Sequence, residues 1–399
     1  MPRPRSLALL VCLAVAMPSR AGPGDGLQVV GSLAYGHDDN LLRVPDGSPG
    51  FDNRREDSWW TREAGLVFDQ TYGRQRVAAY GKLSKSDFDH FKGLNYDGKD
   101  ARADWYWQLG NRLQGKAGSA YQQTLAPYTD FLSSERNLRR YRSSYADATW
   151  RFHAAWQVRA GYQRDKYDYE AASQRFNNRT EDTPELELDY LARSDSTIGL
   201  VARRIKGKYP YPRPVGPFLF NDNFTQDELK LRVKWNASGT TIVEALAGHT
   251  RRKQPSFGPG NTSGITGKIK ANWQPNGKLA YTAAIWRDFA PLESTIVSYT
   301  LNKGASVGAQ WDATTRIKVN ADIVGERRNY NPREGGATPA VRDALRDSLR
   351  TASVRATWSP RPTVQVSGGY ARQARSGAAG LGTSSFTSNS VTLSASLQF

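Results

Sequence analysis

Four histidines, His37, His90, His153 and His249, fall on different strands or loops of this sequence, so none is spaced to share a substrate with another. A lipid hydrolase would set a serine and a histidine in register near the outer leaflet. Ser84 or Ser86 with His90 fits that spacing, but serine is common in strands and one such pairing arises by chance. A glycosidase or lyase would need a carboxylate pair in a cleft. The carboxylates that alternation turns inward (Glu63, Asp69, Asp104, Asp147, Glu185, Glu187, Asp189 and Glu244) are too evenly spread for spacing to single out a pair. Asp38, Asp39, Asn40 and Asp46 offer oxygens that could hold calcium, yet their spacing matches no EF-hand, and Asp and Asn also turn loops by bonding their own backbone. The only cysteine, Cys12, lies in an apolar leader. No catalytic residue, metal ligand or cofactor is assigned, and the expected protein is not an enzyme.

Charge is the chemistry that remains. The formal net charge is +17. Strand alternation turns a set of cations to one side: Arg76, Lys82, Arg102, Arg151, Arg159, Lys230, Arg232, Lys234, Lys268, Lys270, Arg316, Lys318 and Arg355. In 228–235, for example, Leu229, Leu231, Val233 and Trp235 share one face while Glu228, Lys230, Arg232 and Lys234 share the other. A lysine or arginine at mid-bilayer costs about 2–4 kcal/mol, so the charged face is expected to line an aqueous interior. Such a lining either pairs into salt-bridge ladders with the inward carboxylates or sets up a positive field favouring anionic or heavily hydroxylated solutes; both can hold together.

The elements that must position these residues are strands. Hydrophobic residues make up 38% of the chain and the mean hydropathy is −0.64. A helical membrane protein does not have such values, but a barrel can, because only alternate residues meet lipid. Segments of period-two alternation recur from residue 27 to 399. Short turns are expected at Tyr72-Gly73-Arg74, Gly110-Asn111, His153-Ala154-Ala155, Ser194-Asp195, Ser238-Gly239, Pro275-Asn276-Gly277, Ala313-Thr314 and Pro360-Arg361, most of them carrying the Gly, Asn, Asp or Pro that tight turns require. Long loops are expected near 38–57, 89–95, 124–137, 169–181, 208–223, 253–262, 290–294, 329–347 and 375–386. The alternation predicts an all-β, transmembrane, antiparallel up-and-down barrel of about 18 strands, or 16 if the weakly alternating stretches 182–192 and 290–300 are misread.

Aromatic residues precede the short turns: Phe68, Trp107, Trp150, Trp235, Trp273, Trp311 and Trp358. With Phe399 they form an expected girdle at the periplasmic interface, where an apolar ring body meets lipid and its polar edge meets headgroups. The final strand alternates Val391, Leu393, Ala395 and Leu397 against Thr392, Ser394, Ser396 and Gln398, and a terminal aromatic resembles the signal read by the barrel-assembly machinery. At the other end Arg3 and Arg5 precede the apolar run from Leu7 to Met17, and Ser19-Arg20-Ala21 supplies the small residues of a cleavage site. Residues 1–21 therefore read as a signal peptide and 22–399 as the barrel domain.

One loop stands apart. Tyr209, Tyr211, Phe218 and Phe220 crowd a segment stiffened by Pro210, Pro212, Pro214 and Pro217. It is a candidate constriction inside the lumen or a sugar-stacking surface at the mouth; packing on itself above the rim is the alternative.

Several strings resemble the EpsL-type outer-membrane proteins encoded with exopolysaccharide genes, within a broader group of β-barrel porins. They are Ala34-Tyr35-Gly36-His37-Asp38-Asp39-Asn40-Leu41-Leu42-Arg43-Val44-Pro45-Asp46-Gly47, Tyr72-Gly73-Arg74-Gln75-Arg76, Asn95-Tyr96-Asp97, Trp105-Tyr106-Trp107-Gln108-Leu109-Gly110-Asn111-Arg112-Leu113 and Asp222-Asn223-Phe224-Thr225-Gln226-Asp227-Glu228-Leu229. The resemblance implies an outer-membrane location and a part in exopolysaccharide export, as a passage or docking pore. A basic lumen is compatible with an acidic polymer. Implied partners are outer-membrane lipid, the polysaccharide, the barrel-assembly machinery through Phe399, and periplasmic export proteins; no nucleic acid is expected. The alternative function is a diffusion porin, general or solute-specific.

Overall fold

The computed structural model describes residues 26–215, 217–254, 261–291, 299–330, 346–377 and 383–399. The leader 1–21 lies outside the described residues. The strands are β1 (Leu27–Asp38), β2 (Asp57–Tyr72), β3 (Gln75–Phe88), β4 (Tyr96–Leu109), β5 (Leu113–Leu125), β6 (Leu138–His153), β7 (Trp156–Tyr169), β8 (Arg179–Leu191), β9 (Thr197–Lys208), β10 (Arg213–Val215) and β11 (Phe218–Phe220). They continue with β12 (Phe224–Ser238), β13 (Thr241–Lys253), β14 (Asn261–Asn276), β15 (Leu279–Pro291), β16 (Tyr299–Asp312), β17 (Ile317–Asn329), β18 (Arg346–Arg361), β19 (Val364–Ser376) and β20 (Phe386–Gln398). All except the small β10–β11 hairpin join one antiparallel sheet of 18 strands, which β1 closes by pairing with both β2 and β20.

Each predicted short turn separates two barrel strands. Two of them need glycine, since Gly73 and Gly110 take φ of 61° and 60°, a region costly to side chains with a Cβ. The stretch 182–192 is strand for nearly its whole length as β8, and 290–300 spans the end of β15 and the start of β16, so the sixteen-strand count does not stand.

Alternation sorts the side chains as a membrane barrel requires. On β12, Leu229, Leu231 and Trp235 are exposed on the outer surface while Glu228 and Lys230 are buried on the inner one. The same outer register carries Val307, Ile323 and Val354 around the wall. Trp150, Trp235, Trp273, Trp311 and Trp358 stand on it close to the short turns, each about half exposed, and Phe68 and Trp107 occupy the same register.

The interior is not uniform along its axis. Lumen-facing side chains toward the long loops are covered, as with Thr250, Thr300, Arg252 and Arg375, whereas Asp69, Arg76 and Lys318 near the short turns are about half exposed. Inward-folded loops fill the outer half. Leu42 and Val44 from 39–56, Phe91 and Leu94 from 89–95, and Tyr128 from 126–137 form an apolar cluster with Phe88, and Trp59 and Tyr96 pack against it. Burying each such side chain contributes about 1.5–3 kcal/mol, enough together to hold these loops in place.

Candidate functional site: a lumen crossed by one loop

The inner wall has two chemically different halves. From β6 to β12 it is a charge ladder. Arg159 bonds Asp147 at 3.1 Å and Glu185 at 2.9 Å. Arg203 reaches Glu185 at 3.6 Å and donates to Glu228 at 2.8 Å, and Lys230 meets Glu228 at 3.2 Å. Arg232 pairs with Glu187. Ion pairs of this depth recover their desolvation only because each carboxylate meets several donors.

From β13 round to β1 the wall is richer in small hydroxyls. Thr250 and Thr266 share a hydrogen bond of 2.6 Å, Ser367 and Ser394 one of 2.8 Å, and Ser32 stands opposite Ser396. Lys268, Lys270 and Arg355 project among them with no carboxylate ion pair among the described residues; Lys268 Nζ lies 5.9 Å from the centre of the Trp286 ring. One side of the lumen is therefore neutralised by ion pairs, and the other offers hydroxyls, these three cations and the carboxylates Asp322 and Glu326, which also have no ion pair among the described residues.

Between these walls runs the segment 126–137. It leaves β5 and returns to β6, yet its Asp130 accepts hydrogen bonds from Arg328 on β17, at 2.8 and 3.1 Å. Seven strands separate β5 from β17 one way round, and eight separate β6 from β17 the other. Arg375 on β19 meets Asp130 at 3.3 Å and donates to the Thr129 carbonyl. Both arginines are anchored on Asp347, with Arg328 Nε at 2.7 Å and Arg375 Nε at 3.1 Å. Tyr330 adds its hydroxyl to Asp347 at 2.5 Å, and burial raises the Tyr330 pKa, keeping that donor protonated. Tyr128 plugs the near end of the segment into the apolar cluster and donates to the Glu135 carbonyl at 2.9 Å.

The sequence-assigned cations fall as follows. Arg76, Lys82, Arg102, Arg151, Arg159, Lys230, Arg232, Lys234, Lys268, Lys270, Lys318 and Arg355 are on the inward register of their strands. Arg316 is not on a strand: it sits in the turn 313–316, where its backbone N–H bonds Thr314 Oγ1 at 3.1 Å. Several of the others are occupied, with Arg76 on Asp69 at 2.8 Å, Lys82 on Glu63 at 3.1 Å, Arg102 on Asp104 at 2.6 Å and Arg151 on the Ala154 carbonyl at 3.2 Å.

The aromatic loop is tied to the adjacent 171–178 segment. Its β10–β11 hairpin is held by Arg213, buried between Asp222 at 2.7 Å and Asn177 at 3.0 Å, while Tyr211 and Phe218 are exposed. Tyr209 is buried beside Phe224, and Phe220 packs on Phe218. Sequence reasoning missed Asp130, Arg328, Asp347 and Arg375; nothing local marks them, because the partners are up to 246 residues apart.

The acidic string near the first loop works as a clasp. Asp38 Oδ1 accepts from the Asn40 backbone at 2.8 Å and the Ser388 hydroxyl at 2.8 Å, Asp39 accepts from the Asn389 backbone at 2.7 Å, and Asp46 Oδ1 from the Thr387 backbone at 3.0 Å. Among the described residues, no group of three or more His, Asp and Glu side chains is placed to hold a metal ion.

No family model matches the chain, and no curated protein matches it. Among solved structures it is similar to OccK2 (OpdF) of Pseudomonas aeruginosa, with 11% identity over 94% of this chain and 98% of that one and a TM-score of 0.49. OccAB3 of Acinetobacter baumannii gives 10% identity, coverage of 94% and 99%, and a TM-score of 0.47. The alcaligin outer-membrane receptor FauA of Bordetella pertussis gives 13%, coverage of 95% and 77%, and 0.43. Likenesses of this size add nothing to what the strand register, the lipid-facing belt and the closed sheet establish: the chain forms an eighteen-stranded β-barrel of the bacterial outer membrane.

Proposed function

We propose that this barrel is a passage for small anionic or heavily hydroxylated solutes, restricted by the segment 126–137. The observation that carries the reading is the far-wall anchorage of Asp130 by Arg328 and Arg375, which lays a loop across the lumen instead of beside it. Lys268, Lys270, Arg355 and the hydroxyls around them supply the attractive wall; fixed cations in a narrow passage raise the local concentration of anions. The test is conductance of the purified barrel in planar bilayers under a salt gradient. Anion preference that falls in K268Q/K270Q/R355Q supports the reading, and a barrel that conducts in neither form overturns it.

Export or docking of an exopolysaccharide, which the EpsL resemblance implies, is a second reading. It is favoured by the exposed Tyr211 and Phe218 on the loop side, aromatic faces on which sugar rings stack. A polymer chain would require 126–137 to release Asp130, and periplasmic export proteins would have to deliver it. Gene deletion followed by measurement of polymer in pellet, periplasm and medium decides this reading: unchanged secretion removes it and leaves the solute passage. Delivery to the membrane is assigned to the leader 1–21, cut after Ala21, and to recognition of Phe399 by the barrel-assembly machinery.

A further inference from the structure

The outer surface changes character at its loop end. From β15 to β19 each strand places a cation near the loop end of its lipid-facing register, Arg287, Lys303, Arg327, Arg350 and Arg372, and β18 carries a further one, Arg346, at its very end. Arg287 stands directly opposite Lys303, and Lys303 opposite Arg327; Arg350 stands opposite Gly325, and Arg372 opposite Ala352. Like charges facing each other across strands are destabilising. No carboxylate answers them, since none of the five has an ion pair among the described residues, and the enclosed Nε of Arg287 lacks a hydrogen-bond partner there.

Elsewhere around the rim the pattern differs. Arg164 is paired with Asp182 at 2.6 Å, Arg204 with Asp227, and Arg62 with Asp87 at 3.9 Å, all on the outward register. Cations also gather on the outward register of β9 and β13, where Arg204, Lys206, Arg251 and Lys253 surround Asp227, but across β15–β19 that register holds no carboxylate at all.

Its height is informative. Each of the five lies eight to eleven residues from the short-turn end of its strand. At about 3.3 Å per residue and a tilt near 40°, that is about 20–28 Å up the wall, the upper edge of an apolar band about 25 Å tall. Ile285, Val307, Ile323, Val354 and Tyr370 fill the same register below, and Trp311 and Trp358 mark its lower margin. The row therefore meets the headgroups of the outer leaflet.

We propose that Arg287, Lys303, Arg327, Arg350 and Arg372 form a binding surface for a phosphorylated glycolipid of the outer leaflet. Planar guanidinium groups engage phosphate oxygens in pairs, and a headgroup with more than one phosphate spans neighbouring strands. The lipid's anions take the place of the absent carboxylates, while its acyl chains lie on the apolar band beneath.

Native mass spectrometry of the purified full barrel, titrated with bisphosphorylated lipid A, its phosphate-free form or phosphatidylglycerol, tests this. The expected result is retention of lipid A over both other lipids, with affinity lowered about tenfold or more in R287Q/K303Q/R327Q/R350Q/R372Q and unchanged in the control K206Q/K208Q/K253Q. Heat-modifiable gel mobility confirms that each variant is folded. Equal affinity of wild type and the five-fold variant, or equal retention of phosphatidylglycerol, overturns the proposal. If the five-fold variant fails to fold, the wild-type comparison still decides: indifference to removal of the phosphates overturns it as well.

Discussion

Asp130 and Arg328 are 198 residues apart in sequence and belong to segments rooted on nearly opposite sides of the barrel, yet they form a hydrogen bond of 2.8 Å. Asp347 holds Arg328 from the other side, so the arginine keeps a carboxylate partner whether or not the segment is docked. In D130A the wall is expected to survive and the segment to loosen, at a cost of about 1–3 kcal/mol for the lost charge-assisted bonds. Single-channel recordings should show larger and noisier openings than wild type. Identical traces would show that the segment does not limit the passage.

Glu187 is 1% exposed and serves both Arg232 and Arg159. Removing one member of a buried ionic group leaves the others uncompensated, so E187Q should lose about 3–5 kcal/mol. Asp312 and Lys318 form an exposed pair at 3.9 Å, and D312N should cost less than about 1 kcal/mol. Urea unfolding followed by tryptophan fluorescence measures both. Equal losses would mean that the ladder is as wet as the rim.

Neighbouring residues on β16 test the two faces. Val307 is exposed on the lipid register and Ser306 faces inward. V307R is expected to destabilise the barrel in vesicles by about 2–4 kcal/mol, whereas S306R should mainly shift ion selectivity. Reversal of that order would invert the face assignment.

Phe399 exchanges backbone hydrogen bonds of 2.9 and 2.8 Å with Val29, and the residue is 73% exposed. F399S keeps the backbone pair. Refolding in detergent should therefore be unaffected, while the yield of folded barrel in cells falls if the ring is what the assembly machinery reads. Normal cellular yield would remove Phe399 from that role.

The strand pattern was legible because it is local: Leu229, Lys230, Leu231 and Arg232 declare their faces through alternation alone, and Gly73 and Gly110 declare their turns. The crossing was not. Nothing near Asp130 distinguishes it from any loop aspartate, and its meaning depends on Arg328 and Arg375, which only the closed topology brings near. The outward cations were hidden for another reason. The cost of charge in lipid assigns every arginine of an alternating strand to the lumen, but Arg327 and Arg350 lie high enough to escape the hydrocarbon. Tyr209 and Phe218 looked alike in a proline-rich string, and only burial separates the one from the other.

The clasp between Asp38 and Ser388 ties positions 350 residues apart, and β1 can pair with β20 only when both are present. Bringing such distant segments together is slow compared with forming any hairpin between them. The first loop thus cannot be fastened before β20 is in place. A barrel without β20 in place keeps an open edge on β1, and Asp38, though still held by Asn40 and Arg43, lacks its Ser388 donor; closure of the wall and fastening of the first loop are one event at this seam.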